Sequence, residues 1–411
     1  MSILLIADVD LSTPFSGSEQ VLYQQARGLM QRQSKVYAIS RKNGNGGNAE
    51  YLNGENLKIY SYSADVNHAS EFFISLFKKV PQSFDRFSAE TFFSIAISHQ
   101  PYTCFALLVT KRLAVLPMLY YFHSPSHEEY LLTKGAKHWG SRFFQAWARR
   151  IIEGYCLRKS TKIFALSRYM KQRAIDIHGV ADEKIIVNPG GVDLDRFCPP
   201  EKRISLKTQL GLPEGCVNLF TLRNLEPRMG LDNLIKAMSL LKKKGTKVHL
   251  VIGGRGPEEI LLKDLIEHEQ LQDDVRMAGF IPADQLPDFY GAADFFILPT
   301  LRLEGFGLVT VESLACGTPV LGTPVGGTKE ILNNFQSNLL FEDSSPESMA
   351  DGIQLAVEEL FTNTCKYKQL RQRCREYALA HYSWQRHLSQ LEAVIEQVAL
   401  NKNCDTYFNQ N

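Results

Sequence analysis

The sequence predicts an α/β protein built from two doubly wound domains, each a parallel sheet covered by helices on both faces. The chain has 411 residues, more than one hydrophobic core usually supports. Short β-rich runs alternate with helical patterns along its length, which is typical of such sheets. A segment rich in proline and glycine, residues 188–200, separates two series of runs. We therefore expect two domains that face each other across a cleft, with the ligand in that cleft.

Each half of the chain supplies five candidate strands, and the pattern after each one predicts a helix. In the first half the β-rich runs are Ile3–Ala7, Val36–Ser40, Phe92–Ser98, Met118–Phe122 and Lys162–Leu166. In the second half they are Val217–Leu222, Val248–Ile252, Val275–Ala278, Asp294–Leu298 and Pro319–Leu321. Both halves therefore resemble Rossmann-like domains, whose ligands bind at the carboxyl ends of the strands.

These patterns divide the chain into four parts. We expect an N-terminal Rossmann-like domain over 1–197 and a C-terminal one over 198–382. Apolar residues between Trp384 and Val398 share one helical face, which predicts a closing helix over 383–400. The residues after it, 401–411, are expected to form a polar tail.

The composition excludes several classes of protein. Lys and Arg number 46 against 44 for Asp and Glu, so nothing indicates a nucleic-acid partner. The eight cysteines are scattered, without a CxxC pair, which predicts reduced thiols and no structural metal in a cytoplasmic protein. The N-terminal run reaches Asp8 without a basic residue, so it is interpreted as a strand and not as a signal peptide. No apolar run approaches the roughly 20 residues that span a bilayer.

One basic and aromatic segment leaves two interpretations open. Residues 138–162 contain six Lys or Arg and one acid, and apolar side chains at 144, 147, 151 and 155 recur at helical spacing. This spacing favours a helix that packs the apolar stripe against the core and exposes its basic side. The alternative is peripheral contact with anionic lipid at the inner face of the membrane, with 72–79 as a second contact.

The stretch from Glu304 to Glu312 carries the clearest chemistry in the sequence. It joins a predicted strand end to a helix, and Gly305 and Gly307 allow another group to approach the backbone. Free amides at the helix start, around Gly307 to Val309, are suited to a phosphate group. Glu312, one turn further, can accept hydrogen bonds from vicinal hydroxyls. By itself, this pattern predicts an anion site of moderate specificity.

A collinear set of motifs resembles the retaining glycosyltransferases of family four, which have the GT-B fold of two Rossmann-like domains. The matching segments cover nearly the whole C-terminal half. They are Gly279-Phe-Ile-Pro, Leu286–Asp294, Leu298-Pro299, Glu304-Gly-Phe-Gly307, Glu312–Val320 and Gly326-Gly-Thr-Lys-Glu330. The segments Val251–Pro257 and Asn188–Asp193 extend the match.

The resemblance implies a hexosyltransferase that moves a sugar from a nucleotide-diphosphate donor to a hydroxyl of a glycan or glycolipid. The second domain would bind the donor and the first the acceptor, with no cofactor and no metal. In this family Glu312 would bind the donor ribose and Glu304 the transferred sugar. The distal phosphate would lie on the amides of the helix start. The donor-binding set in these loops is Gly254, Glu304, Gly305, Phe306, Gly307, Leu308, Val309 and Glu312.

The resemblance also implies two cations on the diphosphate, from the loop after the first strand of the second domain. Arg223 matches the arginine position. Met229 occupies the usual lysine position, so Arg228 is our candidate for the second charge. His123, at the end of a first-domain strand, would point at the donor sugar, with His127 as an alternative. The catalytic set is thus His123, Glu304, Arg223 and Arg228.

The loop from Thr13 to Glu19 resembles the family's Gly-Gly-Ala-Glu loop, with Ser16 in place of the first glycine and Gly17 as the second. The alternative is a tight strand-to-helix turn capped by Ser16 or Ser18. Three other functions remain open: a GT-B-fold sugar-nucleotide epimerase, a phosphorylase, and a non-catalytic protein that binds sugar nucleotides. A hydrolase that uses Glu304 and Glu312 as its carboxylate pair is disfavoured, because retaining hydrolases need the two groups about 5 Å apart.

Overall fold

The structure is a computed structural model that describes residues 1–11, 17–42, 49–51, 57–64, 69–133, 139–361 and 363–408. Their contacts divide the chain into two compact units. Unit 1 contains the described residues of Met1–Leu131, Ala136–Pro189 and Trp384–Asn411. Unit 2 contains those of Gly190–Ser383 together with Leu132–Gly135.

Unit 1 is built on an eight-stranded sheet in the order β3-β4-β2-β1-β5-β6-β7-β8. All described neighbours pair in parallel except β3 with β4. The strands are β1 Ser2–Ile6, β2 Lys35–Lys42, β3 Ala49–Tyr51, β4 Leu57–Ser63, β5 Ile95–Ser98, β6 Met118–Phe122, β7 Lys162–Ala165 and β8 Ile185–Val187. The central strands β5 and β6 are buried along their whole length, which explains their unbroken apolar sequences.

In the described part of unit 1, six helices lie between these strands along the chain. They are α1 Gly17–Gln31, α2 Ala69–Glu90, α3 Pro101–Val109, α4 Ser126–Thr133, α5 Trp139–Lys159 and α6 Arg168–His178. The expectation that α5 packs its 144, 147, 151 and 155 stripe against the core is wrong. Phe144 is 68% exposed and Trp147 58%. The buried face instead carries Ile152, Cys156 and Leu157. These smaller side chains fit closely against α3, and the Cys156 thiol lies 3.4 Å from the Pro101 carbonyl oxygen.

Unit 2 is built on a five-stranded parallel sheet in the order β11-β10-β9-β12-β13. Its strands are β9 Val217–Leu222, β10 Val248–Gly253, β11 Val275–Gly279, β12 Phe295–Leu298 and β13 Val320–Gly322. The strand order reverses between β9 and β12. Loops that leave adjacent strands in opposite directions open a crevice at such a switch point, so ligands bind there.

The helices of unit 2 alternate with these strands. They are α7 Arg203–Gln209, α8 Leu231–Lys243, α9 Glu259–His268, α10 Leu286–Ala292, α11 Leu308–Ala315, α12 Gly326–Phe335, α13 Pro346–Ala356 and α14 Thr364–His381. Short 3₁₀ turns occupy Asp182–Lys184, Pro227–Met229, Ala283–Gln285 and Ser337–Leu339, and a π-helical turn occupies Val357–Phe361.

The last helix, α15 Trp384–Phe408, returns to unit 1. Gly28 of α1 is needed for this packing, since a Cβ atom there would lie 2.1 Å from the Leu388 side chain. The helix extends beyond the expected end at 400. The division between the units falls at 189/190, earlier than the expected 197, because the intervening segment bonds to unit 2: the Val192 amide donates to the Tyr382 carbonyl at 2.8 Å.

In the described part of the chain, no helix combines the length and the apolar character that crossing a membrane requires.

Candidate active site

The loops after β9 and β12 meet at the switch point of unit 2, where an ion pair joins them. Arg223 follows β9, and its Nη2 donates to Glu304 Oε2 at 2.5 Å and to Thr300 Oγ1 at 2.7 Å. Thr300 Oγ1 in turn donates to the same Glu304 oxygen at 3.1 Å. The Arg223 and Glu304 side chains are only 6% and 12% exposed. The two sequence-predicted residues therefore form one buried, charge-assisted cluster.

The Arg223 guanidinium has a donor left over. Its Nε is buried and has no hydrogen-bond partner among the described residues, although Nη2 also lies 3.0 Å from Met229 Sδ. An orphaned donor in a buried cation is costly, unless a ligand or water accepts from it. Met229, at the family's usual lysine position, thus contributes a sulfur contact in place of the charge that the family has there. Arg223 has the capacity to bind an anion.

Helix α11 begins beside this cluster at Gly307. This residue has a left-handed φ of 92°, and no side chain caps the helix start. A Cβ atom at Gly307 would lie 2.8 Å from Thr328 Oγ1. Only glycine fits the position without strain. The sequence therefore ends β12 in a loop that presents the first-turn amides of α11, including those of Leu308 and Val309, as a partial positive charge.

The start of α12 contacts the backbone of the loop Glu304–Gly307. The Gly327 amide donates to the Glu304 carbonyl at 2.9 Å. A Cβ atom at Gly326 would lie 2.0 Å from that carbonyl oxygen, and one at Gly327 would lie 2.5 Å from Phe306 Cα. The Gly326-Gly327 pair thus permits direct backbone contact between α12 and the segment Glu304–Gly307. The start of α12 thus holds the backbone of the loop, in addition to the contacts that the Glu304 side chain makes with Arg223 and Thr300.

Arg228 stabilises the loop from the other direction. Its Nη1 donates to the Leu303 carbonyl at 3.2 Å and its Nε to Glu226 Oε2 at 3.1 Å. Leu303 has a φ of 59°, a left-handed conformation that is strained for a bulky residue. Arg228 therefore holds a strained residue next to Glu304. Its contact with a diphosphate stays a prediction.

Glu312 lies on α11 and is held by a tyrosine that sequence reasoning missed. The Tyr290 hydroxyl, fully buried, donates to Glu312 Oε2 at 2.8 Å. Burial raises the pKa of Glu312, while the Tyr290 hydrogen bond and the Arg196 charge oppose that rise. A buried tyrosine hydroxyl needs a partner, and this was the available signal. One carboxylate oxygen is thus fixed by the tyrosine, and a contact of Glu312 with a ligand hydroxyl stays a prediction.

Three further predicted residues lie around this cluster. Gly254 has a φ of 125°, and a Cβ atom there would lie 1.8 Å from the Arg223 carbonyl oxygen, so glycine allows the β10 end to touch the Arg223 backbone. Phe306 is buried, with its ring 5.8 Å from that of Tyr382. Gly305 lies between Glu304 and Phe306, partly exposed.

In unit 1, the histidine at the end of β6 belongs to a buried polar cluster. His123 Nε2 lies 3.0 Å from Nδ1 of His99, which follows the adjacent strand β5. Burial, with a smaller effect from His387, lowers the pKa of His123 to about 3. His127 lies on α4, and burial lowers its pKa also. Sequence reasoning missed His99, although two histidines that end neighbouring strands must meet.

The remaining predicted residue, Gly17, is the exposed first residue of α1. The rest of its predicted loop, Thr13 to Ser16, lies outside the described residues. Within the ranges that the structure describes, no group of three or more His, Cys, Asp or Glu side chains is arranged to hold a metal ion.

Two family models match the chain in consecutive segments. The model for "Glycosyl transferases group 1" matches residues 202–381, and the model for "Glycosyltransferase Family 4" matches residues 15–196.

Two curated relatives illustrate the similarity. A D-inositol 3-phosphate glycosyltransferase of Kineococcus radiotolerans is 29% identical over 231 residues, which are 52% of this chain and 53% of that protein. A GDP-mannose-dependent alpha-(1-6)-phosphatidylinositol monomannoside mannosyltransferase of Mycolicibacterium smegmatis is 30% identical over 228 residues, 53% of this chain and 58% of that protein. The chain thus spans little more than half the length of these curated relatives.

Solved structures share the fold over nearly the whole chain. Sucrose-phosphate synthase from Thermosynechococcus elongatus superposes with a TM-score of 0.81 at 19% identity, covering 97% of this chain and 99% of that one. Anabaena HepE in complex with UDP gives 0.73 at 17% identity, covering 97% and 100%. These likenesses confirm the predicted GT-B class with its two Rossmann-like domains. With family models matching 15–196 and 202–381, we conclude that the chain belongs to glycosyltransferase family four.

Proposed function

We propose that the protein is a retaining glycosyltransferase that moves a sugar from a nucleotide-diphosphate donor to an acceptor hydroxyl of a glycan or glycolipid. The observation that carries this proposal is the Arg223–Glu304 pair at 2.5 Å, next to the uncapped start of α11. A relative named for its dependence on GDP-mannose and a structural neighbour solved with UDP-glucose support a sugar nucleotide as the donor.

The donor diphosphate would be bound by positive groups that are already in position. The first-turn amides of α11 and the orphaned Arg223 Nε each favour a negative oxygen. As the bond between the sugar and the diphosphate breaks, charge grows on the leaving group. The attraction of Arg223 and Arg228 for the diphosphate would then increase in the transition state, which lowers the barrier to sugar transfer. Groups fixed before the reaction stabilise this charge without reorganisation.

The two glutamates would bind hydroxyl groups. Glu304, fixed by Arg223 and Thr300, would contact the transferred sugar, and the free oxygen of Glu312 would accept from the ribose. Neither needs to act as a nucleophile. Following the resemblance, the leaving diphosphate itself takes the proton of the acceptor hydroxyl, so we assign no protein base.

This chemistry requires positioning and charge stabilisation, and we propose that it needs no added metal. Transfer activity that survives EDTA is the expected result. A strict requirement for magnesium or manganese would contradict this part of the proposal.

The acceptor is proposed to be a glycan or a lipid-linked alcohol, since the curated relatives are named for inositol phosphate and phosphatidylinositol mannoside acceptors. We further propose that the protein is cytoplasmic and contacts an anionic membrane through α5. Phe144 stacks on Trp147 at 5.9 Å on an exposed face of this helix. Arg and Lys outnumber its single acid, Glu153, which is buried. Exposed aromatic residues with adjacent cations favour a lipid interface.

Liposome flotation tests this contact. The protein should float with anionic vesicles and less with neutral ones. Replacing Phe144 and Trp147 together by serine should abolish flotation. The control is Phe92→Ser, which removes a 95% exposed aromatic residue elsewhere in unit 1 and should change nothing. Equal loss in both variants, or no flotation by the wild type, would contradict the proposal.

Incubation with UDP-, GDP- and ADP-sugars separates the proposed activity from its alternatives. A thermal shift identifies the bound donor. A transferase consumes this donor only when an acceptor alcohol is present. An epimerase converts it alone, a phosphorylase requires inorganic phosphate, and a binding protein leaves it unchanged.

A further inference from the structure

A chain of buried hydrogen bonds runs through unit 1 and ends at His123. His387 Nδ1 lies 2.8 Å from the Pro189 carbonyl oxygen, and His387 Nε2 lies 2.9 Å from Gln25 Nε2. Gln25 Oε1 lies 3.0 Å from His99 Nε2. His99 Nδ1 then lies 3.0 Å from His123 Nε2. Helices α15 and α1 and two strand ends supply its members.

The Pro189 carbonyl gives this chain a direction, because a carbonyl oxygen can only accept. His387 must therefore carry its proton on Nδ1, which leaves Nε2 as an acceptor in the neutral ring. Gln25 then has to turn its NH₂ group towards His387 and its oxygen towards His99. This orientation is the one in the structure. His99 donates from Nε2 and accepts at Nδ1, so His123 must carry its proton on Nε2.

The rings of His387, His99 and His123 all have lowered pKa values, which favours the neutral form of each ring. Burial lowers the pKa of His387 to about 4, against the Pro189 hydrogen bond, which raises it. Burial also lowers the pKa of His99, and the neighbouring His123 and His387 lower it further. The consequence is that His123 Nδ1 is unprotonated. That atom is buried and has no hydrogen-bond partner among the described residues, so it is an acceptor awaiting a donor.

We propose that Gln25 and His387 are positioning residues that transmit the direction of the Pro189 carbonyl to His123, and so keep unprotonated the Nδ1 atom that would make the sugar contact implied by the resemblance. This inference rests on the proposed function for the identity of the substrate, but its tautomer assignment does not. A neutral imidazole that accepts from a hydroxyl selects for a hydroxyl at that place, since a substrate without one would leave a buried acceptor unpaired.

Nitrogen NMR of protein labelled with [¹⁵N]histidine tests the tautomers directly. The His123 signal is assigned from the spectrum of His123→Asn. The wild type should show His123 and His99 protonated on Nε2 and His387 on Nδ1. A His123 ring protonated on Nδ1 in the wild type would overturn the inference, whether or not any variant folds.

Two substitutions at one position separate positioning from packing. Gln25→Leu keeps the volume but interrupts the chain, so the His123 tautomer should become mixed. Gln25→Glu buries a carboxylate, which destabilises the fold more. However, it still accepts from His99 and should preserve the His123 tautomer. The control is His178→Gln, which alters a buried ring outside this chain and should leave His123 unchanged. If Gln25→Leu leaves the His123 spectrum unchanged, the chain does not set the tautomer.

Kinetics and ligand addition complete the test. Gln25→Leu should lower kcat roughly tenfold, the loss of about one hydrogen bond in the transition state, and Gln25→Glu should retain more activity despite its lower stability. Saturating UDP-glucose or GDP-mannose should shift the His123 Nδ1 resonance. A bound donor that leaves this resonance unmoved overturns the substrate contact. If calorimetry detects no binding of any UDP-, GDP- or ADP-sugar, the proposed function and the substrate contact fail together, while the wild-type spectrum still decides the tautomer.

Discussion

Arg223 Nη2 lies 2.5 Å from Glu304 Oε2, although 81 positions separate the two residues in the chain. The sheet order explains this contact, because β9 and β12 are neighbours at the switch point of unit 2. Adjacent strand ends bring the cation and the carboxylate close enough to pair. Their burial makes the pair sensitive to geometry as well as charge.

Replacing Arg223 by lysine tests the geometry of the pair. Lysine keeps the charge but loses the planar guanidinium, whose Nη2 donates to both Thr300 and Glu304 and whose Nε offers a further donor. We expect kcat to fall by about a hundredfold, with a smaller change in the KM for the donor and an unchanged circular dichroism spectrum. Arg373→Lys, an exposed arginine of the same unit, is the matched control. Equal effects of the two substitutions would remove Arg223 from the catalytic set.

Replacing Glu312 by alanine should abolish nucleotide binding in calorimetry and leave the fold intact. Tyr290→Phe removes only the hydroxyl that orients Glu312, so affinity should fall by up to about tenfold. Because burial raises the pKa of Glu312, the wild-type affinity should decline with falling pH earlier than an ordinary glutamate would cause. Glu312→Gln should lack that decline. Unchanged affinity in Glu312→Ala would refute the assigned role.

Replacing Gly326 by alanine tests how the Glu304 loop is supported. The new Cβ atom would lie 2.0 Å from the Glu304 carbonyl oxygen, so the loop must move and kcat should fall at least about tenfold. The control is Gly245→Ala, which has a left-handed φ of 74° with no atom within 4 Å. It should cost about 1 kcal/mol of stability and no activity. Full activity of Gly326→Ala would show that the loop position is not critical.

Asp294 should make the stability of unit 2 sensitive to acid. Its burial favours a higher pKa, but Arg203 and Lys207 outweigh this effect and lower the pKa below the ordinary 3.8. The stabilisation is therefore present at neutral pH and is lost as pH falls through the lowered value. Asp294→Asn should cost roughly 3 kcal/mol in denaturant unfolding at pH 7. The difference from wild type should shrink in acid; a constant difference would contradict this account.

Most strands of the fold could be predicted from the sequence, and those that could not share a physical reason. The predicted runs Met118–Phe122 and Val217–Leu222 coincide with β6 and β9, because buried parallel strands are rich in apolar residues. The missed strands lie towards the edges of the first sheet. β4 mixes serine with tyrosine, and β8 has only three residues, so neither has the pattern of a central strand. β8 consists of β-branched residues but is too short to be recognised alone, and pairing with a neighbouring strand completes both elements.

The site residues that belong to one continuous motif could be predicted from the sequence. Contacts between side chains that are brought together by the fold could not. Glu304, Gly307 and Glu312 occupy one segment, and the sequence displayed their spacing. The contacts of Tyr290 and Thr300 with the two glutamates could not be predicted, because the first depends on how α10 packs against α11 and the second on the conformation of the loop after β12. The prediction of which face of α5 is buried was wrong for another reason. The helix has two apolar faces, and the spacing of its apolar residues alone does not show which one packs against the core.

The anomeric configuration of the product tests directly whether the protein is a retaining glycosyltransferase. Wild-type protein is incubated with the donor identified by thermal shift and with an acceptor alcohol, and the anomeric proton of the product is observed by NMR. We predict a glycoside with the anomeric configuration of the donor, formed only when the acceptor is present and absent with Glu312→Ala. An inverted product, or no glycoside from a donor that binds, would contradict the account.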